Sequence, residues 1–195
     1  MLYVIAHFLR NKIPWVWDVV DLLNSFLFSL RYDGKLKNIN LNEGIENYKV
    51  LPIEKVDTAE FERFFVEQPN EVFKFFKPHE FDAKSLKKLQ KNHAFLGYVL
   101  KDEKQIVGYV FLRSFFTGKC FRGKMVDYCY RGKGLGKTLG MLANKVAYGI
   151  GLRMFATVSP ENMASLQSSK AVNEVKIIKI MPNGDYFVEE LPKKD

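Results

Sequence analysis

The chain has 195 residues, 47% of them hydrophobic, which is the length of one domain with enough apolar side chains for a sizeable core. Its formal charge is +8. From Lys101 to Lys137 nine basic residues stand against Asp102, Glu103 and Asp127, a local excess that suits phosphate groups, and no recognition-helix, zinc-finger or RNA-motif pattern accompanies it, so nucleic acid is not the expected partner. Two cysteines, Cys120 and Cys129, cannot build a disulfide framework, and a reducing cytoplasm is the expected setting.

In chain order, Ile13 to Tyr32 is mostly apolar or aromatic, with Asp18, Asp21, Ser25 and Ser29 recurring at helical spacing as one narrow polar stripe. The two aspartates interrupt the apolar run near its start, which argues against both a secretory leader and a membrane span. Three alternatives stay open: a helix packed on the domain, a helix pairing two copies in a homodimer, or a helix at a membrane surface with Trp15, Trp17 and Phe28 among the headgroups. Packing is the expectation, because an interfacial helix carries Lys and Arg on its polar face and this one carries Asp. Arg31 to Asn47 reads as a polar linker, dividing the chain into residues 1–47 and a domain over 48–195.

Within that domain, Tyr48 to Ile53 reads as a first strand. Asp57 and Glu60 form a capping box ahead of Phe61, Phe64 and Phe65 on a helix. A second helix is expected from Asp82 to Lys91, then a hairpin with Ala94 to Leu100 and Gln105 to Arg113 on either side of Asp102-Glu103. Leu135, Leu139, Leu142, Val146 and Ile150 share one face of a later helix that Gly149 and Gly151 stop. Val175 to Met181 and Tyr186 to Leu191 flank an Asn183-Gly184 pair that favours a tight turn.

Ahead of the leucine-faced helix lies Arg131-Gly132-Lys133-Gly134-Leu135-Gly136-Lys137. Glycines let successive backbone N–H groups turn toward one anion, the helix adds its positive end, and Arg131, Lys133 and Lys137 supply countercharge. A Walker A loop needs glycine where Arg131 stands, and the dinucleotide fingerprint needs glycine where Lys137 stands. The pattern Arg-x-x-Gly-x-Gly fits in full at Arg131, Gly134 and Gly136. In this the sequence resembles the GNAT superfamily of acyl-CoA-dependent N-acetyltransferases, whose pyrophosphate loop has this form.

The resemblance covers about residues 48 to 190 and is specific from about 105 to 172. It implies an α/β (α+β) fold, a mixed and largely antiparallel sheet flanked by helices, here with an extra N-terminal helix. It also implies acetyl-CoA as cosubstrate, without a metal. The pyrophosphate would lie on Arg131, Gly132, Lys133, Gly134, Leu135, Gly136 and Lys137, and the pantetheine arm on Val126 and Tyr128 at the splayed end of the fourth strand. A fifth strand from Arg153 to Val158 would lead to a helix opening near Asn162, whose side chain contacts the arm. The family's tyrosine seven residues beyond that Asn is Ser169 here, and its usual Gly-Phe is Asn173-Glu174, where Asn can still take a left-handed cap.

Acetyl transfer to an amine needs a proton acceptor, donors for the tetrahedral oxyanion and a proton for the leaving thiolate. A free N–H near Val126 to Tyr128 would serve the oxyanion. Asp127 beside the acetyl position, or His79 between the first two helices, would serve as base. Each has a plainer reading, as a turn residue and as a loop histidine bonded to backbone. Ser169, Tyr128 or Tyr130 would protonate the thiolate, while Cys129 reads as a small buried filler. The expected acceptor is a small amine, first of all a nucleotide-linked amino sugar, from the aromatic stretch Phe64 to Phe81 and the basic charge. A peptide or protein amine is second. From other classes, a non-catalytic CoA-binding module and a membrane-surface protein acting through Ile13 to Tyr32 stay open.

Overall fold

The computed structural model describes residues 14–193. A long helix α1 (Pro14–Leu36) precedes β1 (Lys49–Pro52), α2 (Thr58–Val66), α3 (Ala83–Gln90), β2 (Phe95–Lys101), β3 (Ile106–Phe115) and β4 (Lys119–Val126). There follow α4 (Leu135–Gly149), β5 (Arg153–Val158), α5 (Met163–Lys170), β6 (Asn173–Ile180) and β7 (Tyr186–Pro192). The strands form one sheet in the order β1-β2-β3-β4-β5-β7-β6, antiparallel throughout except for the β4–β5 pair.

Local chemistry accounts for most element ends. The Asp57 and Asp82 carboxylates accept from Glu60 N–H and Ser85 N–H and so cap α2 and α3. Gly151, with φ of +82°, ends α4 in a conformation other residues avoid. At the β6–β7 turn only Gly184 has a positive φ, +87°, so Asn183 does not take the mirror-image turn expected of an Asn-Gly pair. Nor does Asn173 take a left-handed cap: it begins β6, is buried, and accepts from the Tyr148 hydroxyl.

The sheet is covered on both faces. α2 and α3 pack Phe61, Phe64, Phe65 and Leu86 against Phe95, Val99, Tyr109, Phe111 and Met125. On the other face α4 packs Leu135, Leu139, Leu142 and Val146 against Leu100, Val110, Leu112 and Met154, joined by Phe28 and Tyr32 of α1.

α1 departs from the sequence reading in two ways. It runs to Leu36, taking up the start of the expected linker. Its polar stripe also faces the domain rather than the solvent. Asn24 Nδ2 donates to Ser114 O at 3.0 Å, His93 N–H to Ser25 Oγ at 3.0 Å, and Arg31 to Phe116 O at 2.8 Å. Asp18 pairs with Lys88 at 2.5 Å and Asp21 with Arg113 at 3.5 Å. Between Val19 and Leu30, Phe28 apart, the apolar residues point outward: Val19, Val20, Leu22, Leu23, Phe26, Leu27 and Leu30 are all exposed, Leu22 and Leu30 by about 70%. Among the described residues no helix is long and apolar enough to cross a membrane.

Candidate functional site

β4 and β5 pair over three residues only, Lys119 with Arg153, Cys120 with Met154 and Phe121 with Phe155, and then diverge. The gap between them is the site's frame. Asp127 N–H donates to Val107 O, so ladder alternation turns the backbone of Val126, one residue earlier, away from β3 and into the gap. The other N–H groups near the strand end are taken, Asp127 by Val107 and Tyr128 by Gln68 Oε1 at 3.0 Å. Of the stretch from Val126 to Tyr128, Val126 is therefore the group that faces a ligand in the gap.

The glycine loop follows within a few residues. Gly132 and Gly134 have φ of +76° and +80°, and a side chain added at either would meet nothing within 4 Å, so the space in front of the loop is open. Gly134 caps α4 with no side-chain hydrogen bond. Among the described residues no acceptor takes the five N–H groups from Gly132 to Gly136, and they stand at the positive end of a 15-residue helix. Arg131 lies over the Tyr128 ring at 4.9 Å and Lys133 over the Tyr130 ring at 4.3 Å. The Tyr130 hydroxyl bonds the Asp102 carboxylate, which ties the loop to the β2–β3 turn. Lys137 is exposed on the first turn of α4.

Gly136 also serves helix packing. A Cβ there would face Ser168 of α5 at 3.4 Å, and one at Gly140 would meet Val172 at 2.9 Å. These glycines let α4 and the end of α5 approach. At Gly132 and Gly134 the space in front of the loop is open.

Beneath the loop is a cation the sequence reading missed. Lys124 Nζ donates to Gly136 O at 2.9 Å from within the gap. Burial, reinforced by the nearby Arg122 guanidinium, lowers its value from 10.5 to about 7. Between those values the unfolded chain binds the proton and the native chain does not, so this group makes stability rise with pH across that window. A diphosphate on the loop would favour the charged form and reverse the shift. Its binding is then expected to take up a proton, and affinity to fall as pH rises from about 7 to about 9. Calorimetry in buffers of different ionisation heat reads that uptake, and Lys124→Met should flatten the pH dependence.

Arg122, just past the last paired residue of β4, reaches over β5 to Glu190 on β7. The pair is bidentate, at 2.7 and 2.6 Å, with both side chains almost wholly buried, and Arg122 also donates to Ser169 Oγ at 2.9 Å. Ser169, at the position of the family's tyrosine, is 2% exposed and turned to this pair rather than to the gap.

Asp127 caps the short turn Tyr128–Tyr130. Its Oδ1 accepts from Cys129 N–H at 2.8 Å and its Oδ2 from Gln68 Nε2 at 2.8 Å. It is partly exposed and borders a small cleft with Glu60, Phe64, Glu67 and Ile106. Asn162 caps α5 by accepting from Ser165 N–H. Just ahead of it, Glu161 pairs with Lys74 at 2.9 Å, joining the two loops beside the gap.

His79 is not in this group. Nδ1 donates to Glu80 O at 2.8 Å and Nε2 faces the Tyr109 hydroxyl at 3.3 Å. The ring stands among Phe65, Phe81, Phe95 and Phe111, and burial pushes its value below the ordinary 6.5. The aromatic stretch around it is mostly core, with Phe73, Phe76 and Phe81 packed onto buried Phe64 and Phe65, so it is no exposed stripe for a ring. Cys129, expected as a buried filler, is exposed. A cavity of about 700 Å³ lies at the far end of α4 between Asn38, Glu43, Lys145 and Tyr148, away from all these groups.

Residues 57–168 match the profile of a family described as the acetyltransferase (GNAT) family. Comparison with curated protein sequences finds no match. Among solved structures the chain is similar to the GNAT domain of S. lividans PAT, with a TM-score of 0.63 and 18% identity over 74% of this chain and 90% of that one. It is also similar to ribosomal-protein-S5-alanine acetyltransferase from Vibrio fischeri, with a TM-score of 0.60 and 20% identity over 77% and 96%. A third is yncA from Salmonella typhimurium with its cofactor acetyl-CoA, with a TM-score of 0.57 and 18% identity over 77% and 96%. At these identities the likeness is one of fold.

Proposed function

This chain belongs to the GNAT family of acetyltransferases, and from that premise we propose that it moves an acetyl group from acetyl-CoA directly to an amine. The observation that carries the reading is the row of five unpaired N–H groups from Gly132 to Gly136, set at a helix N-terminus beside the gap between β4 and β5. Such a row fits a diphosphate, and Arg131, Lys133, Lys137 and Lys124 supply charge around it. Asn162 at the opposite wall suits the cofactor arm. Bound there, acetyl-CoA supplies the activated thioester.

Val126 N–H is the donor suited to the thioester oxygen. Asp127 is the better-placed proton acceptor for the amine, since His79 is enclosed by rings with both nitrogens engaged. Of the hydroxyls considered for protonating the thiolate, Ser169 is held by Arg122 and Tyr130 by Asp102. Tyr128, 44% exposed beside the gap, is the one left, and it takes that role in this reading.

The acceptor is a small amine, with a nucleotide-linked amino sugar first among candidates because exposed Arg131, Lys133 and Lys137 favour a polyanion. A peptide amine is the second reading. It is favoured by Asp127 on the cleft, whose other carboxylates are paired, Glu60 with Lys101 at 2.6 Å and Glu67 with Arg63 at 3.9 Å. A panel of nucleotide-linked amino sugars, free amino sugars and N-terminal or lysine peptides separates the two by kcat/KM. On the preferred acceptor, Asp127→Asn is expected to lower kcat by about 10²–10⁴-fold near pH 7 with acetyl-CoA affinity unchanged. The deficit should shrink at higher pH as more amine is already neutral. A uniform deficit across pH would leave Asp127 a turn residue only.

A further inference from the structure

We propose that α1 is a membrane-surface anchor that lies flat on an anionic lipid bilayer, with Leu22, Leu23, Phe26, Leu27 and Leu30 entering the boundary between headgroups and acyl chains. A helix packed on a soluble domain turns its apolar face inward. α1 does the reverse over most of its length, docking through Asn24, Ser25, Arg31 and two ion pairs while a continuous apolar arc from Val19 to Leu30 faces solvent. Exposed Phe116, whose carbonyl accepts from Arg31, adjoins the arc.

Charge selects the occupant. The acidic residues that would be repelled by anionic lipid are each engaged on the domain side, Asp18 by Lys88, Asp21 by Arg113 and Asp33 by His93. Arg31, Lys35 and Lys37 are exposed at the end of the helix with no acidic partner among the described residues, and the sequence ahead of the helix adds Arg10 and Lys12. Cations beside an apolar arc are the composition that binds anionic bilayers. A second copy of the chain is a poorer match. The arc offers seven exposed apolar side chains between Val19 and Leu30, where a stable pair buries roughly 20–30 residues a side.

The placement also leaves the transfer site free. α1 crosses the end of the sheet where β2 begins and β3 ends, through Ser25 to His93 and Asn24 to Ser114. Val126 and the glycine loop lie at the other end of β4, roughly 25 Å along the strand. A bound surface therefore covers α1 without closing the gap between β4 and β5.

The test is sedimentation of the full chain with vesicles of phosphatidylcholine plus phosphatidylglycerol, and with phosphatidylcholine alone. Preferential pelleting with the anionic vesicles is expected. Leu23→Glu with Phe26→Glu should reduce it at least about 10-fold, and Lys35→Glu with Lys37→Glu should reduce the anionic preference, all with melting temperature and acetyl-CoA affinity unchanged. These side chains are exposed, so the variants should fold. Three results would overturn the proposal: no pelleting with either vesicle; a dimer that the Leu23/Phe26 variant converts to monomer, which would assign the face to a second copy; or a lipid-free loss of stability in that variant, which would assign the face to packing within the chain.

Discussion

Glu190→Ala is expected to lower folding stability by about 3–5 kcal/mol, because it leaves the Arg122 guanidinium buried without its counter-ion. The guanidinium is 3% exposed and retains only the Ser169 hydroxyl as a partner. For a chain of this size that loss corresponds to a fall in Tm of about 6–20 °C. Thermal and urea denaturation at neutral pH read it directly. Replacing both members, Arg122→Met with Glu190→Leu, should recover much of the loss, since a packed apolar pair removes the uncompensated charge. A Glu190→Ala protein as stable as the parent would show that the pair does not hold β4 and β7 together across β5. The comparison bears on function because this pair stands where β4 and β5 separate, so it holds open the gap that the pantetheine arm would fill.

Gly134→Val should abolish measurable CoA binding, a loss of at least about 100-fold, while the fold survives. At φ of +80° a β-branched residue is strained, so the loop must turn and redirect the N–H groups that face the open space. Gly132→Val should act the same way for the same reason. Gly136→Ala is the control: its Cβ would face Ser168 at ordinary contact distance, so affinity should change little. Arg131→Ala should weaken binding about 10- to 150-fold, the effect of losing one charge-assisted contact worth about 1.5–3 kcal/mol, and the loss should shrink as salt is added. Equal affinity in the parent and Gly134→Val would remove the loop from the CoA site.

The parts legible in sequence are those written in short-range code. Asp57 and Asp82 announce their helices because a cap acts over three residues, and the Arg131 to Lys137 loop announces itself because positive φ and glycine go together. Periodicity also revealed the two faces of α1. It could not show which face meets the domain, because that depends on Ser114, Phe116 and His93, far along the chain. Gln68, which holds both Asp127 and Tyr128, is 59 residues from one and 60 from the other. Arg122 and Glu190 are 68 apart. No spacing pattern encodes such pairs. Strand alternation places Lys124 on the α4 side, but its contact with Gly136 O depends on where the glycine loop turns. The packing contact of Gly136 is hidden for the same reason: Ser168 comes from another helix.

The most direct measurement is mass spectrometry of an amine panel after incubation with acetyl-CoA, with free CoA thiol followed in parallel. The reading predicts one amine class gaining a single acetyl group in step with thiol release, in the parent protein and not in Gly134→Val. Thiol released by water at the same rate with every amine, or CoA bound tightly with no amine acetylated, would contradict it.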